Sequence, residues 1–167
     1  QLIDDNVDVD NIDLMLDRME DDNAKQKFWT KSEKGVIKII HLSFKEFLEE
    51  HGFYKFNPEG SKSYVFVRVT NNLIDHTSEK EIKDFVLNYL LEEDDTSIYN
   101  YFAEHTRYFR EEFLTLLSSI DVFFIEDSAD TSYLYYRNCA VKVTKQEIVP
   151  IDYIDLGGYV WKDHVID

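Results

Sequence analysis

The 167-residue chain contains one cysteine, Cys139, two prolines and five glycines. A single cysteine cannot form an internal disulfide and cannot supply a thiolate-rich zinc site. The glycines form neither a GxxxxGK phosphate loop nor a GxGxxG dinucleotide fingerprint. No stretch resembles a signal peptide or is long and apolar enough to be a membrane span. We therefore expect a cytoplasmic protein without a bound cofactor, whose core needs no disulfide or metal.

Acidic charge dominates the sequence but is unevenly distributed. The formal net charge is -16, and such a field repels nucleic acid and anionic lipid alike. Residues 1–24 carry nine acids and one Arg, residues 25–83 carry 11 bases and 8 acids, and residues 84–167 carry 6 bases and 17 acids. We predict an acidic, loosely ordered arm over residues 1–24 and a single domain over residues 25–167, excised from a longer polypeptide. Any anion-binding face should lie in the middle third.

Local patterns in the first half predict two hairpins and a helix. Glu33, Lys34 and Gly35 separate two short apolar runs, and "NPEGS" separates two strands within "FYKFNPEGSKSYVFVRVT". Between the hairpins, "SFKEFLEEHG" has the spacing of a capping box, with Ser43 as N-cap and Glu46 three residues later. Gly52 is expected to end that helix.

The stretch "YVFVRVTNNLIDHTSEKEIKDFVLNYL" changes from strand to helix periodicity at its centre. Ser78 and Glu81 predict a second capping box, followed by an apolar stripe at residues 82, 85, 86, 89 and 90. Asn71, Asn72, Asp75, His76 and Thr77 suit the turn and cap that this junction needs. The alternative is a metal or acid/base site around Asp75 and His76.

The second half predicts two more helices and then a strand meander. One helix places Ile98, Tyr101, Phe102 and His105 on one face; another begins near Thr106, with its apolar stripe at residues 109, 113, 116, 117 and 120. From residue 121 onward, short alternating strands join at "EDSAD", near "RNC" and at "TKQE". The fold class is therefore α+β, with a central group of three to four helices flanked by short antiparallel strands and hairpins.

Metal-binding and catalytic patterns are weak in this sequence. The five histidines lack the HExxH motif and the paired spacing of zinc ligands. Acid pairs such as "MEDD" and "EEDD" could hold Mg²⁺, but 34 acids produce such pairs by chance and acids also suit helix N-termini. Cys139 in its apolar context suits a small buried hydrophobe. We predict no catalytic, cofactor-binding or metal-ligating residue.

An aromatic and basic face is the strongest binding candidate. On the strand around residues 63–70, Tyr64, Phe66 and Arg68 alternate with valines and so share one side. Rings interleaved with Lys or Arg can stack bases and neutralise phosphates of single-stranded nucleic acid. The following helix could instead cover these side chains. The candidate nucleic-acid-binding residues are Trp29, Lys31, Lys55, Lys62, Tyr64 and Arg68.

The C-terminal segment "YLYYRNCAVKVTKQEIVPIDYIDLGGYVW" resembles the segment that precedes the superfamily 3 helicase motor in phage, plasmid and poxvirus-type DNA primase-helicases. The matching phrase runs from Tyr136 through Arg137, Asn138, Cys139 and Ala140 to Val141, then through a turn at 144–147 to residues 151–153. "FVRVTNNLIDHTSEKEIKDFVLNYL" is similar to the region ahead of that segment in relatives from phages and mobile elements of gut Bacteroidetes. The resemblance covers residues 28–167. The sequence lacks a Walker loop and a recognisable primase active site, so no catalytic residue is carried over.

The resemblance implies a non-catalytic accessory or linker domain of a primase-helicase. Such a domain would position the missing ATPase motor and contact other domains or subunits. In one form of this hypothesis it also contacts single-stranded DNA. As an isolated piece it could be a monomer. Two alternatives remain open: an acidic protein-interaction domain that uses residues 1–24, and a metal-dependent phosphoryl-transfer enzyme built on Asp/Glu pairs.

Overall fold

The computed structural model describes residues 27–166, so the predicted acidic arm at residues 1–24 lies outside the described residues. The helices are α1 (His41–Glu50), α2 (Glu79–Leu90), α3 (Thr96–Glu104) and α4 (Glu111–Leu114), with 3-10 helices at Thr106–Phe109, Tyr153–Asp155 and Lys162–His164. The strands are β1 (Trp29–Lys31), β2 (Ile37–Ile39), β3 (Phe53–Phe56), β4 (Val65–Thr70), β5 (Leu73–His76), β6 (Ser119–Ile120), β7 (Thr131–Tyr135), β8 (Ala140–Thr144), β9 (Ile148–Ile151) and β10 (Val160–Trp161). The predicted α+β class is confirmed.

The predicted hairpins are present. β1 pairs antiparallel with β2, and Gly35 takes a φ of 80° in the turn between them. β3 pairs antiparallel with β4 across the "NPEGS" turn. In each case the turn residues lie between short apolar runs, so the local sequence was sufficient to specify the reversal.

Helix α1 begins three residues earlier than the sequence predicted. Ile40, not Ser43, is the N-cap; it has an extended backbone and provides no side-chain cap, and its carbonyl accepts from the amide of Phe44 at 2.9 Å. The predicted capping box at Ser43 and Glu46 is therefore wrong. The helix starts where the chain leaves β2, because this orientation buries Phe44, Phe47 and Leu48. The helix ends before Gly52, as predicted.

The junction before α2 contains a strand that the sequence analysis assigned to a turn. Asn71 and Asn72 take φ values of 47° and 62°, so these two residues alone reverse the chain. β5 then pairs at once with β4, in the register Thr70↔Leu73 and Arg68↔Asp75. The predicted turn across Asp75 and His76 is therefore wrong. The predicted capping box at Ser78 and Glu81 is confirmed.

A five-stranded sheet in the order β10-β5-β4-β3-β6 supports the helices. Helices α1 to α4 contribute to one apolar cluster that includes Phe53 of β3 and the half-buried Phe66 of β4. On the opposite face of the sheet, Phe56, Val67 and Ile74 are buried beneath residues from the 120–124 segment and Trp161. The described helices are too short and polar for any of them to cross a membrane.

The predicted long helix after Thr106 is replaced by three short elements. A 3-10 turn at Thr106–Phe109 buries Tyr108 and Phe109, Arg110 then adopts an extended backbone, and α4 follows for one turn. The chain ends this passage as β6, parallel to β3. This irregular path also buries Leu114 and Leu117, whereas Leu116 of the predicted stripe is 46% exposed. This part of the sequence prediction is wrong.

The predicted meander is confirmed for the three strands of the antiparallel sheet β7-β8-β9, whereas the apolar run before "EDSAD" forms only an isolated bridge between Phe124 and Tyr159. Its turns are closed by backbone hydrogen bonds from Tyr136 to Cys139 and from Thr144 to Glu147, each 2.9 Å. One face covers a small core of Ala140, Tyr153, Leu156 and Val160. The meander therefore packs next to the β5–β10 edge of the five-stranded sheet, through Val160.

Candidate ligand-binding cleft

The face of the five-stranded sheet that carries the helices has an open cleft beside α2. Its volume is about 430 Å³. Strands β4 and β5 supply Arg68, Thr70, Leu73 and Asp75, and Phe53 lies on β3. Further lining residues are His76, Thr77, Glu81 and Lys162. The cleft is therefore built from the strand-to-helix junction and from one residue near the end of the described chain.

Strand register explains why these side chains meet. Arg68 is the cross-strand partner of both Phe53 and Asp75, and Thr70 is the partner of Leu73. Directly opposed residues of antiparallel strands project to the same face of a sheet. Helix α2 leaves this end of the face uncovered, so the polar side chains of β4 and β5 remain accessible.

Two aromatic rings hold the Arg68 side chain. Its guanidinium carbon lies 4.9 Å from the Phe53 ring centroid and 4.5 Å from that of Phe85. Its Nε donates to the carbonyl oxygen of His51 at 3.3 Å. Cation–π contacts and one backbone hydrogen bond thus fix the guanidinium without neutralising its charge.

The two carboxylates of the cleft have other partners. Asp75 accepts from Lys162 Nζ at 2.6 Å. Glu81 Oε2 accepts from the backbone amide and from the hydroxyl of Ser78, each at 2.8 Å, which completes the capping box of α2. Among residues 27–166, no carboxylate lies within 4.0 Å of the Arg68 guanidinium. Arg68 is therefore the half-buried cation of this cleft that lacks an ion pair within the described part of the chain.

The geometry separates Asp75 from His76. The Asp75 carboxylate is bonded to Lys162, whereas the His76 ring stacks on Trp161 with 4.6 Å between centroids and 17° between planes. No hydrogen bond joins the two side chains. In the described part of the chain, no group of three or more His, Cys, Asp or Glu side chains is arranged to hold a metal ion.

The six candidate nucleic-acid-binding residues do not form one surface. Trp29 is only 8% exposed and packs in the helical core. Lys31 bonds to Asp95 at 2.7 Å and to Ser97 at 2.9 Å, beside the start of α3. Arg68 lies in the cleft. These three residues therefore occupy different environments, and the Trp29 ring is not available for stacking a base.

The other candidates are found near the β3–β4 hairpin. Lys55 Nζ lies 5.4 Å from the Tyr64 ring centroid and donates to the carbonyl of Thr115 at 2.6 Å. Tyr64 donates its hydroxyl hydrogen to Glu111 at 2.8 Å, a hydrogen bond that raises the pKa of the tyrosine. Lys62 is exposed. The structure thus brings Lys55 and Tyr64 together, and both already contact neighbouring elements.

Lys162 is a charged cleft residue that sequence reasoning missed. It is separated from Asp75 by 87 residues and reaches it because β10 pairs in parallel with β5 over only two residues. Such a short pairing leaves no periodic pattern in the sequence. Arg68 was found by its alternation with Tyr64 and Phe66, but its contact with the rings of Phe53 and Phe85 was not.

The outer side of the meander is a second candidate surface. Leu134, Val141, Val143, Ile148 and Pro150 share this side, which we call the meander face, because Leu134 pairs with Val141, Val141 with Pro150, and Val143 with Ile148. Ile148 is 70% exposed and Leu134 43% exposed. The meander face is therefore an apolar sheet surface open to solvent in the described structure.

Comparison with protein-family models, curated proteins and solved structures found no match for this chain. The resemblance to primase-helicases therefore remains a prediction from the sequence.

Proposed function

We propose that this chain is a non-catalytic accessory module of a phage-like DNA primase-helicase, which positions an ATPase motor. The observation that carries the proposal is the location of the meander face. Its residues belong to the segment "YLYYRNCAVKVTKQEIVPI", the same stretch that resembles the region immediately before a superfamily 3 motor. The segment adjoining the motor in that family thus presents an open apolar surface here.

An exposed apolar sheet face supports a protein contact. Contiguous apolar patches on soluble domains mark interaction surfaces more often than chance, because leaving them in water is unfavourable. Successive side chains of the meander lie on opposite sides of the sheet. Tyr133, Tyr135 and Ile151 pack inward, while Leu134 and Ile148 point outward. A neighbouring domain that covers Leu134 and Ile148 would complete a two-sided core around the meander.

The proposal also includes a cellular compartment, an oligomeric state and a contact with DNA. A chain with the single cysteine Cys139 suits the reducing cytoplasm. The isolated chain is a monomer in this proposal, because oligomerisation would come from the motor. Contact with single-stranded DNA is assigned to the middle third of the sequence, where bases outnumber acids.

The first test is the coding sequence that follows residue 167. We expect a GxxxxGK[ST] loop within about a hundred residues, since that loop supplies the phosphate cradle of a motor. Its absence would contradict the proposed context.

The second test is binding of the chain to the motor encoded there. Ile148→Glu places a charge on the meander face and should weaken binding about tenfold or more, because a buried unpaired charge is costly. Val36→Glu is the matched control, since Val36 is 66% exposed but lies in the β1–β2 hairpin. Equal binding by both variants would contradict the role of the meander face.

The protein-interaction alternative uses the acidic arm instead. If a basic protein partner is lost on deletion of residues 1–24 but retained in Ile148→Glu, the arm rather than the meander face is the interaction surface. That result would favour a function unrelated to a helicase motor.

A further inference from the structure

The geometry points to a phosphate-binding site in the cleft, with Arg68 as the residue that recognises the phosphate. Where single-stranded DNA supplies that phosphate, the inference rests on the proposed function. The phosphate site differs from the aromatic and basic face predicted from sequence, because it excludes Trp29 and assigns recognition to one preorganised side chain.

The planar guanidinium of Arg68 is prepared to bind an oxyanion. Its Nε donates to the carbonyl of His51, and the rings of Phe53 and Phe85 lie close to it and to each other, with 5.0 Å between their centroids. The terminal amino groups make no hydrogen bond with the described residues. They form the rigid fork that suits two oxygens of one phosphate. Since the side chain is already ordered, little conformational entropy is lost when an anion binds.

The surroundings of Arg68 favour an external anion over an internal one. Asp75 is the nearest acid by strand register, but it is bonded to Lys162, and Glu81 is bonded to Ser78. Thr70 and Thr77 also line the cleft, and their hydroxyls form no hydrogen bond within residues 27–166. Hydroxyl donors beside an arginine fork are a common setting for phosphate oxygens.

The size and charge of the cleft restrict the mode of binding. Arg68 and Lys162 balance Asp75 and Glu81, so the cleft has no net formal charge. Long-range attraction is therefore weak in a chain of net charge -16, and recognition depends on the fork. A volume of about 430 Å³ has room for a phosphate with its attached sugar. We expect one phosphate per chain.

The test measures binding of fluorescently labelled dT10 by anisotropy, at several salt concentrations. Arg68→Met keeps an unbranched apolar stem beside Phe53 and Phe85 but removes the fork. It should weaken binding about tenfold and reduce the slope of log K against log salt by about 0.7, the value for one phosphate on a single strand.

Arg107→Met is the matched control. Arg107 also lies over a ring, 5.0 Å from the centroid of Tyr108, and its loss changes the net charge equally, but it is outside the cleft. It should change binding less than about twofold. Arg68→Lys guards against misfolding of the methionine variant: it keeps the charge, so the salt slope should stay at the wild-type value while affinity falls.

Inorganic phosphate and dTMP serve as competitors and identify the source of the phosphate. Displacement of dT10 by dTMP at equal molar concentration assigns the site to free nucleotides, whereas displacement only by longer dT assigns it to DNA; either supports a phosphate site. No binding of dT10 by the wild-type chain, equal losses in Arg68→Met and Arg107→Met, or wild-type affinity in Arg68→Lys would overturn the inference. If the chain binds the motor but its DNA binding does not depend on Arg68, the proposed function stands without the phosphate site. If DNA binding depends on Arg68 but the chain does not bind the motor, only the phosphate site stands.

Discussion

At the scale of single residues, two glycines with similar backbones differ in what surrounds them. Gly52 and Gly35 have φ values of 85° and 80°. A Cβ at Gly52 would overlap the carbonyl oxygen of Val69, whereas a Cβ at Gly35 would have nothing within 4 Å. Gly52 joins α1 to β3 where the chain passes β4, and its amide donates to Glu49 at 2.9 Å.

We predict that Gly52→Ala lowers the free energy of unfolding by about 4 kcal/mol, because backbone strain and overlap with β4 add together. Gly35→Ala should cost about 1 kcal/mol, since only the left-handed conformation is penalised. Urea unfolding measures both. Equal losses in the two variants would mean that the close approach to Val69 is unimportant.

Asp95 is a second residue whose environment makes a prediction. Hydrogen bonds from Lys31, at 2.7 Å, and then from Ser97 hold the pKa of this carboxyl far below its usual range. A carboxyl with a lower pKa in the folded state stabilises the fold at pH values above the unfolded pKa of about 3.9. This contribution is lost as the pH falls further toward the folded pKa.

The Asp95→Asn variant should therefore lose less stability than the wild type when the pH falls below about 4. Asparagine remains a good N-cap for α3, so the variant isolates the charge. Asp94→Asn is the control, because Asp94 forms no side-chain hydrogen bond within the described residues. Urea unfolding between pH 5 and pH 3 measures the effect, and identical profiles for wild type and Asp95→Asn would contradict it.

At the scale of elements, the beginnings of α1 and α2 show when a local motif decides a boundary. Both helices carry a serine and a glutamate at capping-box spacing, but only Ser78 and Glu81 form the box. α1 starts two residues before Ser43 because the chain enters it directly from β2. The capping-box spacing marks the start of a helix only where the chain can adopt an extended backbone at the serine.

We expect Ser78→Ala to destabilise the protein by about 1 kcal/mol, the usual value of an N-cap. Ser43→Ala should change stability by less than about 0.5 kcal/mol, because Ser43 lies within the helix, where alanine is the better former. Thermal or urea unfolding of the two variants tests this. A larger loss in Ser43→Ala would contradict the assigned start of α1.

The hairpins, α2, α3 and the meander could be predicted because their signals are local. The path from Thr106 to Ile120 could not, since its apolar residues fit a helix stripe while the structure divides them among a 3-10 turn, a short helix and β6 and leaves Leu116 exposed. β5 was missed because its four residues follow a two-residue turn, and the polar side chains Asp75 and His76 hide a strand.

At the scale of the whole molecule, Asn72 links the five-stranded sheet to the small core beneath the meander. Its side-chain amide donates to the carbonyls of Tyr153 and Leu156 at 3.0 Å and of Ile154 at 3.3 Å. Its own carbonyl accepts from Val160 at 3.0 Å. The pairing of β10 with β5, and hence the position of Lys162 in the cleft, depends on this connection.

Asn72→Gly should therefore loosen the β10 edge while keeping a backbone that tolerates positive φ. We expect a loss of about 2 kcal/mol from carbonyls left without partners, with faster hydrogen exchange at the amides of Leu156 and Val160. Asn71→Gly, at an exposed position with φ of 47°, is the control and should be near neutral. Unchanged exchange in Asn72→Gly would show that the link is dispensable.

The cleft itself was only partly within reach of the sequence. Arg68 could be selected as a basic residue on an alternating strand, but Phe85 comes from the following helix and Lys162 from the far end of the chain. Contacts between distant segments of the chain hold the Arg68 guanidinium in place and pair Lys162 with Asp75. Sequence spacing therefore identified a residue of the cleft, and tertiary pairing determined its role.

The most direct test of a phosphate site at Arg68 is the side-chain Nε–Hε signal of arginine in a ¹⁵N–¹H NMR spectrum, recorded while dT10 is added. We predict that the Arg68 signal, assigned through Arg68→Lys, shifts and saturates at one equivalent of bound strand, while the signal of Arg107 stays in place. If the Arg107 signal moves equally, or if the Arg68 signal does not move, the cleft is not where this protein holds a phosphate.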